Sequence, residues 1–192
     1  MRKIFAALLV LALVASSAAL AEVAWMDYDF GDFTISFPED IVCSIDDQIV
    51  NNQPFAYFFQ DYDETAAVNK NLNILWSEEV MDLATVEPTA YAQQILNLTV
   101  ATYQQMGLTV TNPALLIADF DEQDGKPALC YMYSVTLDYS GLGLDAQATL
   151  YILQGMVPDE AFEGTYAFTL TTDDLENCQL LMDIMDTVSW NV

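Results

Sequence analysis

Phe33, Ile35 and Phe37 alternate with Thr34 and Ser36 before Pro38, the period-two pattern of a strand with one buried face. Apolar stretches at Ile41 to Ile45 and Phe55 to Phe59 predict two more strands. A fourth is expected over Leu72 to Trp76, where Asn71 and Asn73 alternate with apolar neighbours; Pro54 and Asn69-Lys70-Asn71 mark the turns. From Pro88 the period becomes helical. Tyr91, Ile95 and Leu98 share one stripe that Ala92, Leu96 and Tyr103 widen, which predicts a helix over Pro88 to Met106 lying on a sheet. Pro88 suits its first turn, and Gly107 suits the left-handed residue just past its end.

The second half returns to period two. Leu115 to Phe120 reads as a strand and Asp119 to Pro127 as the turn that follows. Leu129, Tyr131, Tyr133, Val135 and Leu137 alternate with Cys130, Met132, Ser134 and Thr136. Both sets are largely apolar, which predicts a central strand covered on each side. The turn Ser140-Gly141-Leu142-Gly143 leads to a strand within Leu144 to Val157, and after Pro158 an acidic loop leads to one at Tyr166, Phe168 and Leu170. Thr172-Asp173-Asp174 then caps a last helix with the stripe Leu175, Cys178, Leu181, Met182 and Met185. Consecutive strands with two long helices indicate an α+β class: a mostly antiparallel sheet of about six or more strands with helices packed on its faces.

The start of the chain adds a destination. Arg2 and Lys3 precede an apolar run from Ile4 to Val14, and Ala19-Leu20-Ala21 supplies small residues at a cleavage site, so residues 1–21 are expected to be a Sec-type signal peptide. A secreted or cell-envelope location follows, with no membrane insertion after processing. Residues 22–192 would form one domain, with Glu22 rather than a lipid-accepting Cys at its start.

Composition narrows the chemistry. The 192 residues carry 29 Asp+Glu, 4 Lys+Arg and no His, a net charge of −25 that deepens to −27 when Arg2 and Lys3 leave. A nucleic-acid binder needs cations for the phosphates, so that class is excluded. Without imidazole, a His-dependent triad, a Cys-His pair and a His-bearing zinc site are excluded too. The carboxylates lie scattered over turns, caps and strand ends, which reads as a soluble exported surface rather than a site.

Candidate constellations reduce to ordinary structure at this level. Asp119-Phe120-Asp121-Glu122-Gln123-Asp124-Gly125 suggests a calcium loop, but its Gly and acidic spacing depart from an EF-hand, and a hairpin turn explains Asp124-Gly125. Asp27, Asp29 and Asp32 beside Gly31 form a second acidic group on an N-terminus expected to be flexible. Glu78-Glu79 and Asp173-Asp174 read as solvated loop and cap residues. Tyr57, Phe58 and Phe59 read as core rather than a ligand groove. Asn97-Leu98-Thr99 matches a glycosylation sequon, but it lies mid-helix with Leu98 on the apolar stripe. Cys43, Cys130 and Cys178 are an odd set, expected as buried thiols rather than a bridge framework.

The layout resembles the PsbP-like family, named for an extrinsic subunit of photosystem II and shared with a nuclear Ran-binding protein and many small exported bacterial proteins. The resemblance rests on Phe33-Thr34-Ile35-Ser36-Phe37-Pro38, on Leu72-Asn73-Ile74-Leu75 before the Pro88 helix, and on Asp124-Gly125-Lys126-Pro127 leading into Leu129 to Leu137. Gly164-Thr165-Tyr166-Ala167-Phe168-Thr169-Leu170 and the closing Met185-Asp186-Thr187-Val188-Ser189-Trp190 complete it. It implies an antiparallel sheet sandwiched between helices and accessory or binding roles, with no catalytic residue to carry over. The expectation is an exported, non-catalytic binding or accessory module without a cofactor. Its partner is unknown in identity and cationic in chemistry: a basic protein surface, or divalent ions held diffusely. The competing class is a carboxylate-dependent hydrolase acting on glycans, which needs a carboxylate pair at a set separation.

Overall fold

The computed structural model describes residues 24–39, 42–45, 56–59, 68–161 and 163–191. The signal segment, Pro54, and the side chains of Cys43, Tyr57, Phe58, Phe59 and Leu181 lie outside the described set. The strands are β1 (Trp25–Asp29), β2 (Phe33–Pro38), β3 (Val42–Ile45), β4 (Ala56–Phe59) and β5 (Asn71–Ser77), then β6 (Thr109–Gln123), β7 (Lys126–Asp138), β8 (Gln147–Asp159), β9 (Gly164–Thr172) and β10 (Ser189–Trp190). The helices are α1 (Pro88–Gln105) and α2 (Leu175–Met185). Seven strands form one antiparallel sheet in the order β3-β4-β5-β9-β8-β7-β6, and β1-β2-β10 form a second. The class is α+β with antiparallel sheets.

Two apolar layers hold these elements together. On one face of the large sheet, Ala92 and Leu96 of α1 pack with Leu129, Tyr131, Tyr133, Val135 and Leu137 of β7 and Leu150 and Ile152 of β8. On the other face, Leu72, Ile74, Met132, Phe168 and Leu170 meet Cys178, Met182, Ile184 and Met185 of α2 and Phe33, Ile35 and Phe37 of β2. Residues Ala128 to Leu137 of β7 are all buried, as expected for a strand covered on both sides.

Local chemistry sets the helix ends. The Glu87 carboxylate accepts the amides of Thr89 and Ala90 at 3.2 and 2.6 Å, and Pro88 occupies the first turn, where its missing N–H costs nothing. At the far end Gly107 adopts φ +88°, its amide bonds Gln104 O and the Leu108 amide bonds Tyr103 O, closing the helix with the pattern that favours glycine there. The Thr172 hydroxyl accepts the Asp174 amide at the start of α2.

Several expectations are corrected. Leu98 is 56 % exposed, so the face of α1 that meets the sheet centres on Ala92 and Leu96; Asn97 and Leu98 of the sequon face solvent, while Thr99 is half-buried with its hydroxyl 3.0 Å from Tyr133 OH. Leu175 is likewise exposed, and Ile184 takes its place in the core. Asp119 to Gln123 belong to β6, and only Asp124-Gly125 form the turn, at φ +46° and +79° between the paired Gln123 and Lys126. That is the two-residue turn whose twist matches a hairpin. Residues 25–29, expected as part of a flexible start, form β1 in full register with β2.

Gly155 on β8 borders a buried cavity of about 20 Å³ lined by Ala128, Cys130, Leu153, Val157, Phe168 and Met185 among others. A methyl group on Gly155 would meet Met185 Cε at 3.7 Å and Cys130 Sγ at 3.8 Å, ordinary contact distances. Gly155→Ala is therefore expected to stabilise the domain by ~0.5–1 kcal/mol, by filling space and by restricting the unfolded chain. A urea midpoint below that of the parent would show that the cavity wall does not accept the methyl.

Candidate acidic interface

Antiparallel pairing brings distant carboxylates to one end of the sandwich. The β6–β7 tip carries Asp121, Glu122 and Asp124, and the β8–β9 tip carries Asp159, Glu160 and Glu163. The end of β5 continues into Glu78, Glu79 and Asp82, and the turn after β1 brings Asp32. Direct contacts join these tips. Lys126 Nζ forms an ion pair with Asp159 Oδ2, both side chains being largely buried. The Thr165 hydroxyl donates to the Glu79 carbonyl at 2.6 Å and accepts the Met81 amide at 2.9 Å. A side chain on Gly164 would collide with the Ser77 carbonyl, so β9 and β5 approach closely there. The Trp190 amide donates to Asp124 Oδ2 at 3.0 Å, its indole N–H donates to Gln123 O at 3.1 Å, and Tyr166 OH donates to Asp32 Oδ2.

Among the described residues, ten carboxylates thus share one end with one cation, Lys126, which Asp159 pairs. Glu78, Glu79, Asp82, Glu122, Asp124, Glu160 and Glu163 are exposed there. The sequence reading of a dispersed, featureless acidity is corrected on this point. Each hairpin contributes only two or three acidic residues to its own stretch of sequence, and the topology collects them. Such a surface projects a negative field well beyond its contact distance.

The groups singled out by sequence separate. Asp27 accepts from the Ser36 hydroxyl at 2.7 Å, Asp29 from the Gly31 amide at 2.8 Å, and Asp32 from Tyr166, so the three serve three different partners. Asp119 and Asp121 accept the amides of Phe120 and Glu122 along a strand instead of curling round an ion. Among the described residues no three His, Cys, Asp or Glu side chains come together in a metal-binding arrangement. Burial, with the charges of Asp121 and Asp119 adding to it, pushes the Cys130 thiol up to about 12; burial and Asp174 push Cys178 up to about 11. Both are unbridged thiols that stay protonated near neutral pH, as inert apolar groups do. Among the described residues no helix is long and apolar enough to cross a membrane.

Asp186, just past the end of α2, has its carboxyl raised above the usual carboxylate range, first by desolvation and then by the charges of Asp183 and Asp121. The negative end of the helix dipole opposes the same charge. A carboxyl held above its unfolded value destabilises when ionised, so the penalty is present at neutral pH and disappears as pH falls through its folded value. Asp186→Asn is expected to raise the melting temperature at pH 7 by one or two degrees, an effect of less than ~1 kcal/mol on an exposed side chain. Parent and variant should melt alike at pH 3; an equal advantage at both pH values would remove the electrostatic cause.

No protein-family model matches the chain and no curated protein is similar to it in sequence. Solved structures are similar in fold. The solution structure of cyanobacterial PsbP from Synechocystis superposes with a TM-score of 0.61 at 14% identity, covering 93% of this chain and 99% of that one. The Ran-binding protein Mog1p of Saccharomyces cerevisiae superposes with a TM-score of 0.50 at 12% identity, covering 88% of this chain and 96% of its own.

Proposed function

We propose that this chain, which has a PsbP-like fold, is an exported, non-catalytic binding or accessory module whose acidic end docks onto a basic protein surface. The observation that carries the reading is the gathering, among the described residues, of ten carboxylates around one already paired lysine. The fold supports a binding role by analogy, since one neighbour is itself a Ran-binding protein. The leader-like residues 1–21 support placement outside the cytoplasm, and a processed N-terminus at Glu22 is the corresponding expectation.

The test uses matched charge reversals. Glu122→Lys, Glu160→Lys and Glu163→Lys together change the acidic end, while Asp145→Lys, Asp173→Lys and Asp174→Lys make the same charge change elsewhere on the exposed surface. Binding to a panel of basic proteins should fall at least tenfold in the first variant and much less in the second. It should also weaken steeply between about 50 and 300 mM NaCl, as the screening length shortens. Equal losses in both variants would leave only net charge as the cause. Replacing part of the NaCl by CaCl₂ at fixed ionic strength separates diffuse divalent binding, which would compete beyond the screening effect.

A further inference from the structure

Strand β6 is the outermost strand of the large sheet, and among the described residues no strand pairs with its outer edge. From Ile117 to Gln123 its pairing with β7 runs without a register shift. Because Gln123 and Lys126 flank a two-residue turn, Gln123, Asp121, Asp119 and Ile117 exchange backbone hydrogen bonds with β7. Ala118, Phe120 and Glu122 therefore direct their N–H and C=O groups outward. The two outward amides of Phe120 and Glu122 donate to Asp119 Oδ1 and Asp121 Oδ1, each at 2.9 Å. Each carboxylate thus occupies the position that an incoming strand's carbonyl would take. Phe120 itself is 40 % exposed on this edge.

We propose that this edge receives an extended segment of the basic partner by strand addition, the segment carrying Lys or Arg at alternate positions. The inference rests on the reading of a cationic partner and adds how that partner is held. A lysine or arginine beside the edge competes for the Asp119 and Asp121 carboxylates and draws them off the amides. The freed N–H groups and the outward carbonyls then pair with the incoming backbone. Charge also selects against a second copy of this chain. Antiparallel self-pairing centred on Phe120 would set Asp119 of each copy opposite Asp121 of the other, and like charges directly opposite destabilise a strand pair.

The probe is the heptapeptide acetyl-Lys-Val-Lys-Val-Lys-Val-Lys-amide, compared with the same peptide N-methylated at alternate residues, which keeps the charge and removes the backbone donors. Phe120→Pro supplies the counterpart on the protein: it removes an outward N–H without changing charge, and proline is tolerated on the outer side of an edge strand. Strand addition predicts at least tenfold weaker binding on N-methylation and on Phe120→Pro, with hydrogen exchange of the Phe120 and Glu122 amides slowed several-fold by the unmodified peptide. If both peptides bind alike, with salt-sensitive affinity and no protection of those amides, strand addition is overturned while the acidic-end reading stands. Absence of salt-sensitive binding by either peptide overturns both. Should Phe120→Pro fail to fold, the N-methyl comparison and the exchange rates of the parent decide. A dimer of the parent in sedimentation that Phe120→Pro abolishes would assign the edge to a second copy and overturn the proposal.

Discussion

Trp190→Ala is expected to destabilise the domain by about 3–5 kcal/mol, the range for deleting a large buried aromatic side chain. Trp190 is 8 % exposed although it lies two residues from the end of the chain. Its ring sits 5.3 Å from that of Phe33, 5.6 Å from Tyr166 and 6.3 Å from Phe168, and Lys126 Nζ lies 5.3 Å above it. The indole N–H donates to the Gln123 carbonyl, so truncation leaves both a cavity and an acceptor that loses one of its donors. For a domain of this size the loss corresponds to roughly 10 °C or more in melting temperature. Trp190→Phe should recover part of it by restoring ring area without the donor. Denaturant unfolding at constant slope is the measurement; a loss below about 1 kcal/mol for the alanine variant would mean that the small sheet is held without this anchor.

The second large effect is expected at Lys126→Met. Lys126 and Asp159 have side chains only 18% and 10% exposed, and removing the cation strands a desolvated carboxylate in the body of the acidic end. Breaking a fully buried pair from one side costs about 3–5 kcal/mol; here Asp159 keeps the Ala161 amide at 2.7 Å, so the expected loss lies at or below the lower end of that range, about 2–3 kcal/mol. The methionine keeps most of the stem's packing, so the deficit reports charge. Lys126→Met with Asp159→Asn should regain more than half of the loss, and a double-mutant cycle showing simple additivity would exclude the pair as the cause.

The sequence discloses elements whose burial pattern is simple. Phe33 to Phe37, Leu72 to Trp76 and Leu129 to Leu137 face a core with period two or with both faces, and they form β2, β5 and β7 near the expected limits. β6 is longer than its apolar pattern because an edge strand tolerates what a central one does not. Asp119 to Glu122 read as part of a turn, yet they sit on a strand paired along one side, with register shifts near Asn112 and Leu116. β10 has two residues and exists through its pairing with Phe33 and Thr34, which no local signal announces. Helix stripes are ambiguous by about one residue in angular terms, hence Leu98 and Leu175 outside the core and Ile184 within it. The acidic end was hidden for another reason: closeness across hairpin tips depends on strand order, and composition has no access to strand order.

The pairing of β10 with β2 also bears on when the fold can be completed. The Ser36 amide bonds the Thr187 hydroxyl 151 positions away, and the Leu72 strand, paired locally with β4, gains its second neighbour only with the Leu170 strand. The block from β6 to β9 is built of sequential hairpins and needs only its own residues, whereas β5 gains its second neighbour only with β9, and β2 only with β10. Such remote contacts slow folding relative to local ones. A chain still lacking β10 would therefore hold the β4 to β9 block formed beside a β1–β2 hairpin that has not yet gained its third strand.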